Sequence, residues 1–301
     1  MRIASLLPSA TEIAFALGLG DSVVGVSHEC DYPAQAARLP TLTASAVATD
    51  ALSSAEVDQA ISAHLRQGGS TYTINLPLLR RLQPDLILTQ ALCDACAVSE
   101  AQVHRTLHEQ HLGARVLTLT PLTLDDVFRS IEDVGEATGR AAAARALTTD
   151  LRDRVAAIRA FRQDAPPRLL ALEWLDPPFV GGHWVPDQIA AAGGVDVLGR
   201  PGQPSYRTTW EEIARAQPDV IVVLPCGFTL GEIVEQARVL AGNPLWTALV
   251  AVRRGAVWVV DAGAWFSRPA PRVVDGIDAL AQILVDPLAS SGPAGTVPLR
   301  H

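Results

Sequence analysis

The chain has 301 residues, with 32 acidic against 24 basic side chains, a formal net charge of −8 and 49% hydrophobic residues. That length accommodates about two domains of roughly 150 residues each, and the negative charge excludes a surface built for nucleic acid or anionic membrane. All 24 basic residues are arginine, which excludes Schiff-base chemistry, a P-loop lysine and every other lysine-dependent mechanism.

Met1-Arg2 runs straight into 3–7, which reads as a first strand and lacks the n-region, apolar core and cleavage site of an export signal. No apolar run approaches the ~18 residues of a membrane span. The expectation is a cytoplasmic protein without membrane insertion, or a periplasmic one if a leader precedes it. In a reducing compartment its four cysteines serve as thiols or metal ligands rather than structural disulfides.

Ser9 and Glu12 have capping-box spacing ahead of the apolar stretch 13–19, which Gly18 and Gly20 end. A strand at 23–26 leads into Ser27-His28-Glu29-Cys30. A helix over 76–82, a strand over 86–89, Cys93-Asp94-Ala95-Cys96, a helix over 98–108 and a strand over 116–119 complete this half. Strands alternating with helices predict a parallel sheet covered on both faces. From 139 to 164 an alanine-, leucine- and arginine-rich stretch predicts one helix of roughly 40 Å.

The second half repeats the plan. A strand over 169–172 precedes a long loop over 173–184, and Pro186 opens a helix that ends at Gly193-Gly194. Helices follow over 210–216, 230–240 and 272–284, with strands over 220–224 and 257–260. The turn-rich tail from 286 to 301 is expected to fray. The expected division is lobe 1–135, connecting helix 136–164, lobe 165–285 and flexible tail 286–301. Within it, Gln83-Pro84-Asp85-Leu86-Ile87-Leu88 reappears as Gln217-Pro218-Asp219-Val220-Ile221-Val222. Each is a helix end stopped by Pro-Asp and followed by a strand apolar on both faces.

These features together carry a resemblance. The opening Ser5-Leu6-Leu7-Pro8-Ser9-Ala10-Thr11-Glu12, the strand ending at Gly25-Val26, the Gln-Pro-Asp repeat and the helical connector resemble the helical-backbone (class III) substrate-binding proteins of iron-siderophore and cobalamin ABC importers. The resemblance covers about residues 1–285 and is greatest to a cytoplasmic cobalamin-binding-like branch. It implies an α/β fold of two Rossmann-like lobes joined by a single long helix, and a non-catalytic binder holding a corrinoid, tetrapyrrole or metal chelate in the cleft between lobes. It also implies an ABC transporter as partner, against which the missing export signal argues.

Ligands of open α/β lobes meet the loops beyond the carboxyl ends of the strands. On that rule the ligand-binding candidates are Pro8, Ser9, Tyr72, Trp174, His183, Trp184, Phe228, Trp265 and Arg268. The aromatic faces suit a large flat ligand, and arginine suits an anionic substituent. Pro8 and Ser9 open a helix whose N-terminus is an anion contact. Each has a plainer reading, as core aromatics, a loop histidine or a helix cap.

Cys93 and Cys96 form a C-x-x-C that can grip one metal or sit as two buried small hydrophobes. With Cys30, Cys226 and His28 they make the metal candidates. Convergence of the four thiols would suit zinc or an iron–sulfur cluster, so the candidate cofactors are cobalamin, haem, zinc and an iron–sulfur cluster. The enzyme rival is thiol redox chemistry at Cys93 and Cys96, which follow a strand and precede a helix. No nucleophile elbow, H-E-x-x-H or G-x-G-x-x-G occurs.

Overall fold

The computed structural model describes residues 1–49, 52–91, 103, 105, 113–160 and 165–299. Cys93, Cys96 and most of the helix expected over 98–108 lie outside the described residues. The chain divides into two compact units, one of residues 1–51, 59–121 and 125–149, the other of residues 52–58, 122–124 and 150–301.

The first unit contains β1 (Ile3–Ser5), α1 (Pro8–Ala16), β2 (Val23–Val26), β3 (Thr43–Ser45), most of α2 (Ser54–Arg66), β4 (Tyr72–Ile74), α3 (Leu76–Leu82), β5 (Leu86–Gln90), β6 (Arg115–Leu119) and nearly all of α4 (Leu124–Thr138). Its sheet runs β2-β1-β5-β6 with every pair parallel, and β3 and β4 form a separate antiparallel ribbon. All five residues of β5 are buried, as a strand covered on both faces requires. The first helix, expected to be capped by Ser9, begins at Pro8, because proline preorganises the first helical position.

Gly139, at φ 73°, ends α4, and α5 (Ala141–Arg159) starts afresh. This connector is one helix of 19 residues, about 28 Å long. Its residues to Thr149 belong to the first unit and those from Asp150 to the second.

The second unit holds β7 (Arg168–Leu175), β8 (Pro178–Val180), α6 (Val185–Ala191), β9 (Val195–Asp196), β10 (Tyr206–Arg207), α7 (Trp210–Ala216), β11 (Val220–Val223), α8 (Leu230–Val239), α9 (Pro244–Ala248), α10 (Val250–Arg254), β12 (Val257–Val260), α11 (Ala262–Trp265), α12 (Val273–Val285) and β13 (Thr296–Pro298). The sheet order is β10-β8-β7-β11-β12-β13, with β9 beside β7. Its centre, β7-β11-β12, is parallel.

Two expectations are corrected here. The long loop over 173–184 is in part a hairpin. β7 continues to Leu175, turns at Asp176-Pro177 and returns antiparallel as β8, which β10 extends. The tail does not fray: β13 pairs antiparallel with β12, the Leu299 N–H donates to Val257 O at 2.8 Å, and Leu299 is buried. Composition hid both, because the pairing partners are supplied by the sheet and not by the segments' own pattern.

The sequence repeat is also a structural repeat. Gln83 and Gln217 both adopt left-handed geometry, at φ 43° and 45°, and close α3 and α7. Pro84 and Pro218 are buried behind them. The Arg2 N–H donates to Asp85 Oδ2 at 2.7 Å, and the Arg168 N–H to Asp219 Oδ2 at 3.0 Å. The side chain of Arg2 donates to Leu82 O and that of Arg168 to Ala216 O, the last carbonyls of the two helices.

Asp219→Ala removes a charged acceptor from an exposed strand entry and is expected to cost about 1 kcal/mol, measured by urea denaturation. Leu299→Ala opens a cavity beneath the docked tail and is expected to cost about 2–4 kcal/mol in the same experiment; a frayed tail would show no loss.

Candidate functional site

In the first unit the parallel strands bring three described loops to one edge. At the end of β1, Pro8 is the first residue of α1 and is partly exposed. Ser9 and Glu12 do not form the expected capping box. Leu7 is the N-cap without a side-chain bond, and both residues lie inside the helix at 3% exposure. Proline at the first helical position has moved the cap back by two residues.

Thr11, also buried, donates to Ser5 Oγ at 2.8 Å, and its hydroxyl lies 3.1 Å from Cys30 Sγ. Cys30 is 4% exposed. It sits in a buried hydroxyl network.

Beyond β2, the exposed His28 stands with its ring 5.4 Å from that of Tyr72. Tyr72 is buried and its O–H donates to Glu29 Oε1 at 2.9 Å. The Thr43 hydroxyl donates to Ser27 Oγ at 3.0 Å, receives the His28 backbone N–H at 3.1 Å, and lies 2.8 Å from His28 Nδ1. With the Thr43 proton used on Ser27, this arrangement favours the tautomer protonated on Nδ1 and leaves Nε2 as the lone-pair nitrogen. The structure thus brings together two candidates, His28 and Tyr72, and adds Glu29 and Thr43.

In the second unit Trp174 lies near the end of β7, and its ring centroid is 5.5 Å from that of Phe228, tilted by 34°. Its indole N–H donates to Ser54 O at 3.1 Å. The same short segment is held by Gln236, which accepts from Ser54 N at 3.2 Å, and by Arg207, which reaches Asp58 at 3.0 Å. The exposed Cys226 follows β11, two residues before Phe228.

Trp265, in the short α11, and Arg268 beyond it are both partly exposed. Trp184 is packed inside, its N–H donating to Phe266 O at 2.9 Å. Of the aromatic candidates in this unit, Trp174, Phe228 and Trp265 are the partly exposed ones.

His183 adopts φ 50°, a left-handed geometry rare for a side-chain-bearing residue. It is held there by its N–H to Gln203 O at 2.6 Å and by Gly202 N–H to its own carbonyl at 3.0 Å. Burial lowers its pKa, favouring the neutral imidazole.

Next to this segment is a group that no motif announces. Glu173 accepts the Gly182 N–H on Oε1 at 3.1 Å and the Ser205 hydroxyl on Oε2. Burial, reinforced by the charge of Asp196, pushes its pKa up to about 7. Burial raises Asp196 to about 6, although the Gly199 and Leu198 amides donate to its Oδ1. Among the described residues no group of three or more His, Cys, Asp or Glu side chains could hold a metal ion.

Comparison with known proteins follows this geometry. The family model for periplasmic binding proteins matches residues 3–264. The chain belongs to that family. It is a binding protein and not an enzyme.

It is 27% identical over 291 residues to a vitamin B12-binding protein of Vibrio cholerae serotype O1, covering 94% of this chain and 88% of the relative. The crystal structure of a periplasmic vitamin B12-binding protein of Vibrio cholerae superposes with a TM-score of 0.65 at 26% identity, covering 95% of this chain and 97% of that one. A periplasmic heme-binding protein from Roseiflexus sp. RS-1, in its apo form, gives a TM-score of 0.71 at 25% identity, covering 96% and 99%. The cytoplasmic setting expected for the chain finds no support in these relatives.

The raised carboxyls set a pH dependence. A carboxyl whose folded pKa exceeds its unfolded one keeps its proton in the folded state as the unfolded state loses it. Stability is therefore full below the unfolded pKa and falls as pH rises toward the folded value. For Glu173, between the ordinary carboxyl value of 4.5 and about 7, the loss is on the order of 3 kcal/mol at about 1.4 kcal/mol per pH unit. Urea denaturation at pH 5 and pH 8 should show this fall in the wild type and a flatter response in Glu173→Gln.

Proposed function

We propose that this chain is the substrate-binding component of an ABC importer and that its ligand is a corrinoid. The observation carrying this is the similarity, over 94% of the chain, to a vitamin B12-binding protein. In the second unit, the Trp174–Phe228 pair and Trp265 take the face of a flat macrocycle, and Arg268 meets an acidic or amide substituent. His183 and Trp184 shape the loop behind them. On the first unit, taken by itself, the partly exposed Pro8 and the His28–Tyr72 pair are the candidate polar contacts, whereas Ser9 is buried.

Haem is the second reading. It draws on the fold shared with a heme-binding protein and on His28, whose Nε2 is the nitrogen that could meet a metal centre. Zinc or iron–sulfur binding and thiol redox chemistry depend on Cys93 and Cys96, and among the described residues no group of three or more His, Cys, Asp or Glu side chains could hold a metal ion.

Tryptophan-fluorescence titration of the full chain with cyanocobalamin, cobinamide and haem tests the proposal. One ligand should quench at micromolar concentration, and Trp174→Ala should weaken it by about tenfold, equivalent to about 1.4 kcal/mol. Absence of saturable quenching by all three refutes the reading.

A further inference from the structure

The segment 181–184 is held by an unusual set of contacts. The Gly181 N–H donates to Ala171 O at 3.1 Å, and the Arg200 N–H to Gly181 O at 3.3 Å. Gly182 is pressed so closely on 203–205 that a Cβ there would stand 2.2 Å from Ser205 N. His183 exchanges backbone bonds with Gln203 and Gly202. The hub joining β7 to both partners is the Glu173 carboxyl, through Gly182 and Ser205.

Asp196 closes the other side. Its Oδ2 lies 3.3 Å from where a Gly181 Cβ would be, and it is buried without a hydrogen-bond partner. Its neighbour Oδ1 takes the Leu198 and Gly199 amides.

We infer that Glu173 is the positioning residue for segment 181–184 and that the two buried carboxyls set against this segment, Glu173 on Gly182 and Asp196 beside Gly181, couple the hold on it to a proton. Ionising both would leave two buried negative charges against adjacent residues of one segment, one of them with an unsatisfied oxygen, and burial disfavours that charged state more than one retained proton does. Double ionisation therefore loosens 181–184 from 199–205, and a single proton restores the hold. The raised values of both carboxyls agree with this arrangement.

The surrounding charged groups leave the pair to set the response. On the segment itself, burial favours neutral His183. The Arg200 guanidinium lies over the Tyr206 ring at 3.8 Å, and the Tyr206 hydroxyl donates to Leu198 O. Arg207 is directed to Asp58, Asp187 of α6 accepts the Leu124 amide, and Glu212 of α7 accepts the Thr208 hydroxyl.

As a regulator of ligand affinity this rests on the proposed binding role of His183 and Trp184. The hold itself can be read without ligand. Hydrogen-exchange protection of 182–184 and 199–203 in the full chain should fall about tenfold between about pH 5.5 and pH 8.5, after correction for intrinsic exchange. In Asp196→Asn it should stay within about twofold over that range.

Glu173→Gln, which keeps an acceptor for Gly182 without charge, should remain protected throughout. A pH-independent wild type, an Asp196→Asn variant as steep as wild type, or a Glu173→Gln variant unprotected at both ends while the rest of its unit stays protected, would each overturn the inference. Cyanocobalamin affinity measured in parallel should fall as protection falls. Failure of every chelate to bind would count against the functional reading alone, and the protection data would still decide this one.

Discussion

Each sheet is anchored at its entry by an arginine that closes the end of a neighbouring helix. Arg2 at the head of β1 donates to the last carbonyl of α3, and Arg168 at the head of β7 to the last carbonyl of α7. Arg115 at the head of β6 donates to Ala137 O, near the end of α4. These carbonyls have no partner within their helices and carry the negative end of the helix dipole. A guanidinium is always charged and presents several donors in a fixed fork, so it suits this place in a chain without lysine. In two of the three cases an aspartate completes the clamp by accepting the arginine's own backbone N–H.

The clamp also fixes register. With Arg2 tied to Asp85, Ile3 falls opposite Leu86 and Ser5 opposite Leu88; with Arg168 tied to Asp219, Leu169 falls opposite Val220 and Leu172 opposite Val223. A slip of one residue would turn every buried side chain to the other face. In the first unit Pro8 and His28 follow the ends of β1 and β2; in the second Phe228 and Trp265 follow the ends of β11 and β12, and Trp174 lies near the end of β7. The candidate binding residues and the clamp residues thus lie toward opposite ends of the strands.

That division explains what the sequence disclosed. The clamp is local enough to leave a motif, Gln-Pro-Asp before an apolar run, and the helices and central strands around it fall within a residue or two of their expected bounds. What escaped depends on distant partners. The Ser54 segment meets Trp174 and Gln236 across 120 and 182 positions. β13 exists because β12 offers an edge, and β8 because β7 runs on past Leu172. Glu173 looked like one acid in a loop. Its importance comes from Ser205, Gly182 and Asp196, which no spacing rule connects to it. The capping-box reading of Ser9 and Glu12 went astray for the opposite reason, since a local motif was overruled by the proline beside it.

The cysteines show how differently the fold treats one residue type. Cys30 is enclosed beside Thr11 and the Ser5 hydroxyl, whereas Cys226 stands exposed at the end of β11. The Thr11 hydroxyl that contacts Cys30 also donates to Ser5, whose own hydroxyl donates to Leu7 O, so the thiol borders a buried network of satisfied hydroxyls. Two residues beyond Cys226, Phe228 sets its ring against that of Trp174. Among the described residues, then, the edge of the second unit is chemically suited to gripping a flat molecule by its faces. The edge of the first unit, taken by itself, is polar, with His28, Glu29, Thr43 and Tyr72. Recognition of that kind needs fixed rings and oriented hydroxyls, and needs no nucleophile.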